Sequence, residues 1–459
     1  MKKWIIATLG LVVAITLSGV TLQESLDMAK QHNKTLLMAK EEQSKADATY
    51  KQVWGMLYPQ LSLQGAYTLS STGIPKSSQA SSMDVASMLD GSTASDDDYT
   101  LAHVLSGVVN GMIPSSPIEE GSIATQLKLD QILFSGGKIF NGISAADKYR
   151  AIQKLNYSVS EQDVILQTTS MFYQTLLAGK VVDIQREGLD TARKHLARVE
   201  LFATEGQVSE FDVLRAKLEV AKLEPQVLAA ENQYELALAA FRKQLGSEDI
   251  TLIPEGDFVP PVKHEISLNE AKERGLNNRE DLELLNLATQ IKELQYKAEK
   301  GNYLPNVGLT ASGSLYTAAD GFGIGKDDFG TSMSIGIGFQ MPIFTGFQNR
   351  SKINYAKHDL NKAKIQLRDT SDLIELQIKQ LHQKMMYAWE NYEVQKQNIQ
   401  MAERNLQLAQ IRYENQVGIQ LEVFDAQIML SSIKLQYLSS IYEVIVAERE
   451  FSKSIGESL

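Results

Sequence analysis

The sequence predicts a mostly α-helical protein with a transmembrane β-barrel contribution, built from two tandem repeats. Three observations predict this fold class. Residues recur at two fixed offsets, four segments alternate apolar and polar residues, and long segments carry a heptad pattern. Each repeat is therefore expected to contain one β-hairpin and long coiled-coil helices.

The duplication appears as identical residues at constant separations. Leu22 and Leu268 are 246 residues apart, whereas Phe134 and Phe344 are 210 residues apart. The same two offsets relate further pairs: Tyr50 and Tyr296, Pro59 and Pro305, Phe241 and Phe451, and Gly246 and Gly456. A sequence that matches itself in this way predicts two copies of one structural unit.

The two repeats are assigned to residues 20–246 and 267–459, and a proline-bearing linker over residues 247–266 joins them. Because the offset falls from 246 to 210, the first repeat carries 36 extra residues. They lie in the stretch 71–121, which is rich in Ser, Asp, Met and Gly. Insertions of this composition are tolerated in exposed loops, so a loop is expected there.

Residues 1–19 are expected to be a secretory signal peptide. Lys2 and Lys3 precede an apolar stretch from Trp4 to Leu17, which is shorter than the roughly 20 residues of a membrane-spanning helix. The chain has no Cys and a net charge of -11. These values argue against disulfides, thiolate metal sites and nucleic-acid binding. No cofactor and no metal site is expected.

Four segments alternate apolar with polar or small residues, as β-strands do. They lie at about residues 60–69, 123–134, 306–316 and 332–343. The alternation is clearest in the fourth segment, at Met333, Ile335 and Ile337. Each segment has roughly the 9–11 residues that a tilted strand needs to cross a bilayer. A half-buried sheet in a soluble protein is the alternative interpretation.

The remainder of each repeat is expected to be helical. Over residues 360–413 two seams of residues step by seven, and together they alternate by four and three, as in supercoiled helices. Residues 138–204 are predicted as one helix, with a length of about 100 Å at 1.5 Å per residue. Turns are expected near Gly206 and Gly418, and Pro225 is expected to kink or interrupt its helix.

Four membrane strands are too few to close a barrel, since small barrels begin near eight strands. An open sheet edge in lipid leaves backbone groups unpaired, and each of them costs several kcal/mol. The chain must therefore oligomerise if these strands cross a membrane. Three copies would give twelve strands, although this argument requires closure without fixing the number of copies.

Several short motifs occur in a fixed order along the two repeats: LQESLDMAKQHN, MLYPQLSLQGAY, QILFSGGK and EFDVLRAKLEVA in the first, and YLPNVGLTASG, MPIFTGF, RYENQV and LEVFDAQ in the second. In this arrangement the chain resembles the outer-membrane efflux proteins of the TolC family. The resemblance implies a homotrimeric exit duct rather than an enzyme. Its twelve-stranded barrel would lie in outer-membrane lipid, and its α-helical tunnel would lie in the periplasm.

The resemblance also implies partners. A periplasmic adaptor, or membrane fusion protein, and an inner-membrane pump would deliver substrates to the duct, either in tripartite efflux or in type I secretion. The insert over residues 71–121 would be extracellular, with its apolar piece from Leu101 to Ile113 as a lid or as part of a flexible surface loop. An envelope-spanning structural or adhesive coiled-coil protein without a pore is the alternative function.

The resemblance places adaptor-facing tips at the two helix turns. These tips are Glu205, Gly206, Gln207 and Val208 in the first turn, and Gln416, Val417, Gly418 and Ile419 in the second. The family's glycine position in the second turn falls on Gln416, two residues before Gly418, which departs from the family pattern. Turns that only connect two helices are the alternative interpretation.

Two acidic residues after the second turn are candidates for a gate. Glu422 and Asp425 are three residues apart and therefore share one helix face. The resemblance implies that they reach a constriction, where rings of carboxylates favour cations. It also matches Asp212 and Tyr413 to positions that link neighbouring hairpins, so a Tyr413-to-Asp212 hydrogen bond is expected as a latch. Each acid could instead be an ordinary solvated charge on a helix surface.

Overall fold

The computed structural model describes residues 18–72, 84–89, 95–112, 118–320, 325–415 and 417–457. The predicted signal peptide therefore lies outside the described residues, apart from Ser18 and Gly19. The chain forms two compact units. The first is mostly helical and comprises Met1–Tyr50, Ser144–Leu294 and Lys357–Leu459, and the second contains the main sheet and comprises Lys51–Ile143 and Gln295–Ala356.

The described helices and strands follow one another in similar order in the two halves of the chain. The first half contains β1 (Ser18–Val20), α1 (Leu22–His32), α2 (Lys34–Gly55), β2 (Gln60–Thr72), α3 (Asp96–Met112), β3 (Ile118–Ser135), α4 (Lys138–Thr204), α5 (Glu210–Leu245) and β4 (Leu252–Pro254). The second half contains α6 (Leu268–Asn278), α7 (Glu280–Lys300), β5 (Asn306–Asp320), β6 (Phe329–Gln340), α8 (Gln348–Glu414) and α9 (Gln420–Ser454).

The helices of the two halves begin at the separations read from the sequence. α6 begins 246 residues after α1, and α8 begins 210 residues after α4. Both α4 and α8 have 67 residues. α5 runs through Pro225 as one helix of 36 residues, so the interruption expected at this proline does not occur. No helix within the described ranges is long and apolar enough to cross a membrane.

The last helix of each half ends against the first helix of the same half. Gly246 follows α5 with a φ of +70°, and a Cβ atom there would lie 2.2 Å from the carbonyl oxygen of His32. Gly456 follows α9 with a φ of +75°, and a Cβ atom there would lie 2.9 Å from the carbonyl oxygen of Asn278. His32 and Asn278 are themselves 246 residues apart. Both halves therefore use the same contact, which glycine alone permits.

Each half also has its own apolar core within the helical unit. Phe241 is fully buried in the first core, where its ring meets Phe172 edge to face at 6.0 Å. Phe451, which lies 210 residues later, is fully buried in the second core with Ile378. Burying such a side chain contributes about 1.5–3 kcal/mol. These cores hold the helices of each half together.

The segment between the two halves contacts the rest of the helical unit at several places. β1 pairs in parallel with β4. Farther along, the imidazole of His264 lies between two carboxylates, with Nδ1 2.6 Å from Glu448 and Nε2 3.2 Å from Glu457. Glu448 is only 3% exposed and also accepts a hydrogen bond from the indole N–H of Trp389. A buried carboxylate on α9 thus anchors this segment.

The sheet unit has a four-stranded antiparallel sheet in the order β2-β3-β5-β6. Its register aligns mainly apolar residues across one face. Two rows on this face are Leu61, Leu129, Ala311 and Ile335, and Leu63, Leu127, Gly313 and Met333. The side chains of Leu63, Ile335 and Met333 are 70%, 78% and 93% exposed. An apolar surface of this extent on a single chain requires a partner other than water.

The opposite face of the sheet is polar. One row there consists of Ser62, Lys128, Ser312 and Ser334. The Lys128 ammonium lies 3.0 Å from the carboxylate of Asp130, which also accepts a hydrogen bond of 3.0 Å from the Thr310 hydroxyl. A sheet with one apolar and one polar face is typical of membrane strands, which face lipid on one side and water on the other.

The insert over residues 71–121 differs from the expected loop. β2 continues to Thr72 and β3 begins at Ile118, while α3 occupies Asp96–Met112. The apolar piece that begins at Leu101 is therefore helical, and the expectation of a flexible surface loop is wrong for this part. Ile113, at the end of that piece, lies outside the described residues, as do residues 73–83, 90–94 and 113–117.

Gly246→Ala should destabilise the protein, because the added methyl group would clash with His32 in a left-handed backbone conformation. That conformation alone costs a non-glycine residue about 1–2 kcal/mol. Gly55→Ala is the matched control, since nothing lies within 4 Å of a Cβ atom there. Thermal unfolding in detergent, followed by circular dichroism, should show a lower midpoint for Gly246→Ala only. Equal midpoints for the two variants would contradict the role given to Gly246.

Candidate functional site at the helix turns

The first turn joins α4 to α5 through a glycine in the left-handed conformation. Gly206 has a φ of +70°. Its N–H bonds the carbonyl of Ala203 at 3.1 Å, and the N–H of Gln207 bonds the carbonyl of Phe202 at 2.9 Å. This pair of bonds is a Schellman motif, which satisfies carbonyls that the end of α4 would otherwise leave free. Glu205, Gly206 and Gln207 are exposed, and Val208 is half-buried.

The start of α5 is capped by a reciprocal pair. The Ser209 hydroxyl accepts a bond from the N–H of Asp212 at 3.3 Å and donates to the Asp212 carboxylate at 2.6 Å. That carboxylate also accepts a bond of 3.1 Å from the N–H of Ser209. The hydroxyl and backbone bonds from Ser209 lower the pKa of Asp212 below its usual value. Asp212 is therefore ionised at neutral pH and holds the first turn of α5.

The second turn, between α8 and α9, is built differently. The N–H groups of Val417 and Gly418 both bond the carbonyl of Arg412, at 2.9 and 3.0 Å. Ile419 stands at the N-cap of α9 and its side chain makes no capping bond. Val417 and Ile419 are 71% and 62% exposed. Gln416, the fourth tip residue expected here, lies outside the described residues.

An ion pair crosses the second turn, and the sequence did not indicate it. The Arg412 guanidinium Nε lies 3.4 Å from Oε2 of Glu422, ten residues later. A basic residue just before a turn was the only signal in the sequence, because this contact depends on how the turn folds back. One of the two predicted gate acids therefore has a cationic partner within the same chain.

The expected Tyr413-to-Asp212 latch is not the contact that this chain makes. The Tyr413 hydroxyl donates instead to Oε1 of Gln420, at 3.5 Å. The carboxylate of Asp212 is occupied by Ser209. Both candidate latch residues thus have local partners on their own hairpins, and the expected bond is a proposal for another state or assembly of the protein.

A cavity of about 550 Å³ near both turns brings several predicted residues together. Asp212, Val208, Ile419 and Asp425 all line it, whereas Glu422 and Tyr413 do not. The cavity thus combines residues of α5 and α9 that are about 200 positions apart in the sequence. Asp425 is exposed and adds a carboxylate to its rim.

His195 and Phe424 form an aromatic wall of this cavity that the sequence did not reveal. Their rings stack with centroids 5.5 Å apart and planes 22° apart. Burial, together with the nearby Arg198 charge, lowers the pKa of His195. Its imidazole is therefore neutral at pH 7, and the charge of the cavity is set by its carboxylates and Arg215.

The groups at the helix turns are suited to electrostatic interactions rather than to making or breaking covalent bonds. The site's distinctive groups are the carboxylates of Asp212, Glu422 and Asp425, and each has a different environment. In the part of the chain that the structure describes, no three His, Asp or Glu side chains are placed to bind a metal ion. Carboxylates near a helix turn can bias the passage of ions or bind a partner's basic residues.

The family model described as "Outer membrane efflux protein" matches residues 25–247 and 273–457. Among curated relatives, the outer membrane efflux protein BepC of Brucella suis biovar 1 (strain 1330) is 23% identical over 338 residues, 72% of this chain and 71% of BepC. The outer membrane protein TolC of Escherichia coli (strain K12) is 20% identical over 372 residues, 78% of this chain and 73% of TolC.

Solved structures are similar in fold along nearly the whole chain. The CmeC outer membrane channel of Campylobacter jejuni matches with a TM-score of 0.74 and 16% identity, over 95% of this chain and 85% of CmeC. The outer membrane protein VceC of Vibrio cholerae matches with a TM-score of 0.69 and 16% identity, over 95% of this chain and 96% of VceC. With the family model matching most of its residues, the chain belongs to the outer membrane efflux protein family.

Proposed function

We propose that this chain forms the outer-membrane exit duct of a tripartite efflux or type I secretion system. The observation that carries the proposal is the four-stranded sheet with one apolar face and two free edges. Family membership supplies the outer membrane as its location and efflux as its task. The duct conducts passively, and an energised inner-membrane pump drives transport.

The free edges of the sheet support assembly from several copies. Within the described residues, β2 and β6 each pair on one side only. Since all neighbouring strands are antiparallel, β6 runs opposite to β2, and β2 of another copy would continue the pattern beside β6. Lipid offers no hydrogen bonds to those edges. Three copies give the twelve-stranded barrel of a homotrimer, which is the assembly that the family resemblance implies.

The helix turns are the proposed docking site for a periplasmic adaptor. Glu205 and Gln207 offer polar groups in the first turn, and exposed Val417 and Ile419 offer apolar ones in the second. Exposed aliphatic residues on a turn favour a partner surface that excludes water. The remaining described tip residues, Gly206, Val208 and Gly418, would shape this surface through the backbone, and Gln416 stays a predicted tip residue.

Glu422 and Asp425 are the proposed gate acids. Threefold symmetry would repeat each carboxylate as a ring, and such rings attract cations and raise the barrier for anions. The Arg412–Glu422 pair partly offsets one ring in the state described here, so Asp425 contributes the less compensated charge. Asp212 and Tyr413 would join neighbouring hairpins once the copies assemble.

Single-channel recording in planar bilayers tests the proposed function. The purified chain should give discrete conductance steps, and native mass spectrometry should detect the mass of a trimer. An envelope scaffold or adhesin of the same architecture would give no discrete conductance. A protein that stays monomeric and soluble without detergent would contradict the duct altogether.

Replacing Glu422 and Asp425 with Ala should shift the channel's cation preference toward neutrality, because two rings of negative charge are removed. Reversal potentials under a salt gradient measure this preference. Of the two single variants, Asp425→Ala should have the larger effect, since Glu422 is paired with Arg412. Glu283 is an exposed acid on α7 that is distant in the sequence from both gate acids. As the control, Glu283→Ala should leave the reversal potential unchanged. An unchanged potential in the double variant would remove both residues from the gate.

Ser209→Ala should loosen the first turn of α5, because it removes the hydroxyl that caps the helix and lowers the pKa of Asp212. A lowered pKa contributes stability above the unfolded pKa, and this contribution is lost as pH falls through the folded pKa. The variant should therefore lose protection of residues 210–214 at a higher pH than the parent protein. Amide hydrogen exchange across a pH series measures this. Ser44→Ala, an exposed hydroxyl within α2, is the control and should leave exchange at the tip as it is.

A further inference from the structure

The helix in the insert, α3, has a well-defined start. The N–H and hydroxyl groups of Ser95 donate to the Asp98 carboxylate at 2.9 and 2.7 Å, and the Ser95 hydroxyl accepts from the N–H of Asp98. This reciprocal cap fixes the first turn, and Asp96, Asp97 and Asp98 complement the helix dipole. The insert therefore presents a formed helix rather than a connecting loop.

One side of α3 is already occupied within the chain. Ala102 and Ser106 are buried. The Ser106 hydroxyl accepts a bond of 2.8 Å from the N–H of Val85, in a short 3₁₀ turn over Val85–Met88. Helical residues four apart lie on the same face, so this face is the internal one.

A second side of α3 carries an apolar stripe that this chain leaves exposed. The stripe consists of Leu101, Val104, Leu105 and Val108, whose side chains are between 49% and 66% exposed. Their spacing of three, four and seven residues places them on one strip of the helix, and helices bury such a strip against a partner. His103 is exposed and lies across the helix from most of the stripe, at the edge of the buried face.

Charge argues against a lipid surface as the partner. Helices that lie on membranes combine an apolar face with Lys and Arg on the polar face. Residues 77–127 contain no Lys and no Arg, and the start of α3 is acidic. An anionic headgroup layer would repel this helix. A neutral apolar surface is therefore the better fit.

The position of the insert points to a second copy of the chain. α3 lies between β2 and β3, at the end of the hairpin opposite to the junctions with α2 and α4. β2 is an edge strand, so in the proposed duct it pairs with β6 of the neighbouring copy. Each α3 then emerges beside an interface between copies, and in a closed ring the α3 helices of all copies stand around one mouth with the same apolar stripe.

We propose that the α3 helices of the assembled copies pack stripe against stripe over the outer mouth and form an apolar gate. This inference rests on the proposed assembly. Apolar constrictions lower ion flow by excluding water, without any charged group. The duct would then have an apolar gate at its outer end, distinct from the acidic residues at its helix turns.

Cysteine cross-linking tests the packing directly, because the chain contains no Cys of its own. Leu105→Cys, in the stripe, should give covalent dimers of the full-length protein when a short bismaleimide is added to outer-membrane vesicles. His103→Cys is the matched control: it is also exposed, two residues away, and should react without forming dimers. Dimers from both variants, or from neither, would overturn the proposal. A Leu105→Cys that is shielded from a membrane-impermeant maleimide yet forms no dimer would indicate another occupant and would overturn it equally.

Conductance gives a second, independent readout. Leu105→Glu would place like charges in the packed stripes and should open the outer mouth, raising single-channel conductance above that of the parent protein. His103→Glu adds the same charge on the other side of the helix and should leave conductance unchanged. Unchanged conductance in Leu105→Glu would overturn the gate. If the parent protein conducts while the cross-link and conductance tests fail, only this gate is lost, whereas the absence of conductance in both the parent protein and Leu105→Glu would refute the duct itself.

Discussion

Backbone hydrogen bonding at the two free edges of the sheet is the constraint on which the rest of the structure depends. Within the described residues β2 and β6 each lack a partner on one side, and lipid cannot replace it, so the proposed duct requires neighbouring copies. The register of the sheet then decides which face meets lipid, because apolar residues share one face across all four strands. Glycines with positive φ, Gly136 and Gly346, follow β3 and β6 and allow each strand to lead into a helix of 67 residues.

Because the chain is duplicated, its two halves pack their helices through the same kind of contact. The pair formed by His32 and Gly246 recurs as Asn278 and Gly456, at the same place in the second half. The glycine is kept in both halves, whereas its partner differs, because the partner atoms that come close are backbone atoms and the Cβ atom, which His and Asn share. A contact through these common atoms restricts the glycine position and leaves the rest of the partner side chain free to vary. The two halves can thus diverge in sequence while they keep one packing geometry.

Sequence patterns predicted the elements whose side chains repeat with a regular period. Alternation located four strands, and the heptad seams located the long helices. α3 was missed because the Ser, Asp and Gly residues around it outweighed the stripe at Leu101 and Leu105. The Arg412–Glu422 pair and the His195–Phe424 stack were missed for another reason. Contacts of this kind depend on how turns fold and helices pack, and no local pattern encodes them.

The two helix turns occupy equivalent positions, yet different forces hold them. A Schellman motif and the Ser209–Asp212 cap, all short-range bonds with good geometry, fix the first turn. The second has no side-chain cap at Ile419 and relies on an exposed ion pair of 3.4 Å between Arg412 and Glu422. Exposed ion pairs contribute roughly 0–1 kcal/mol and weaken with salt, whereas caps act locally and are less sensitive to salt. The second turn is therefore the less restrained of the two, and both candidate gate acids lie just after it, in the first turns of α9.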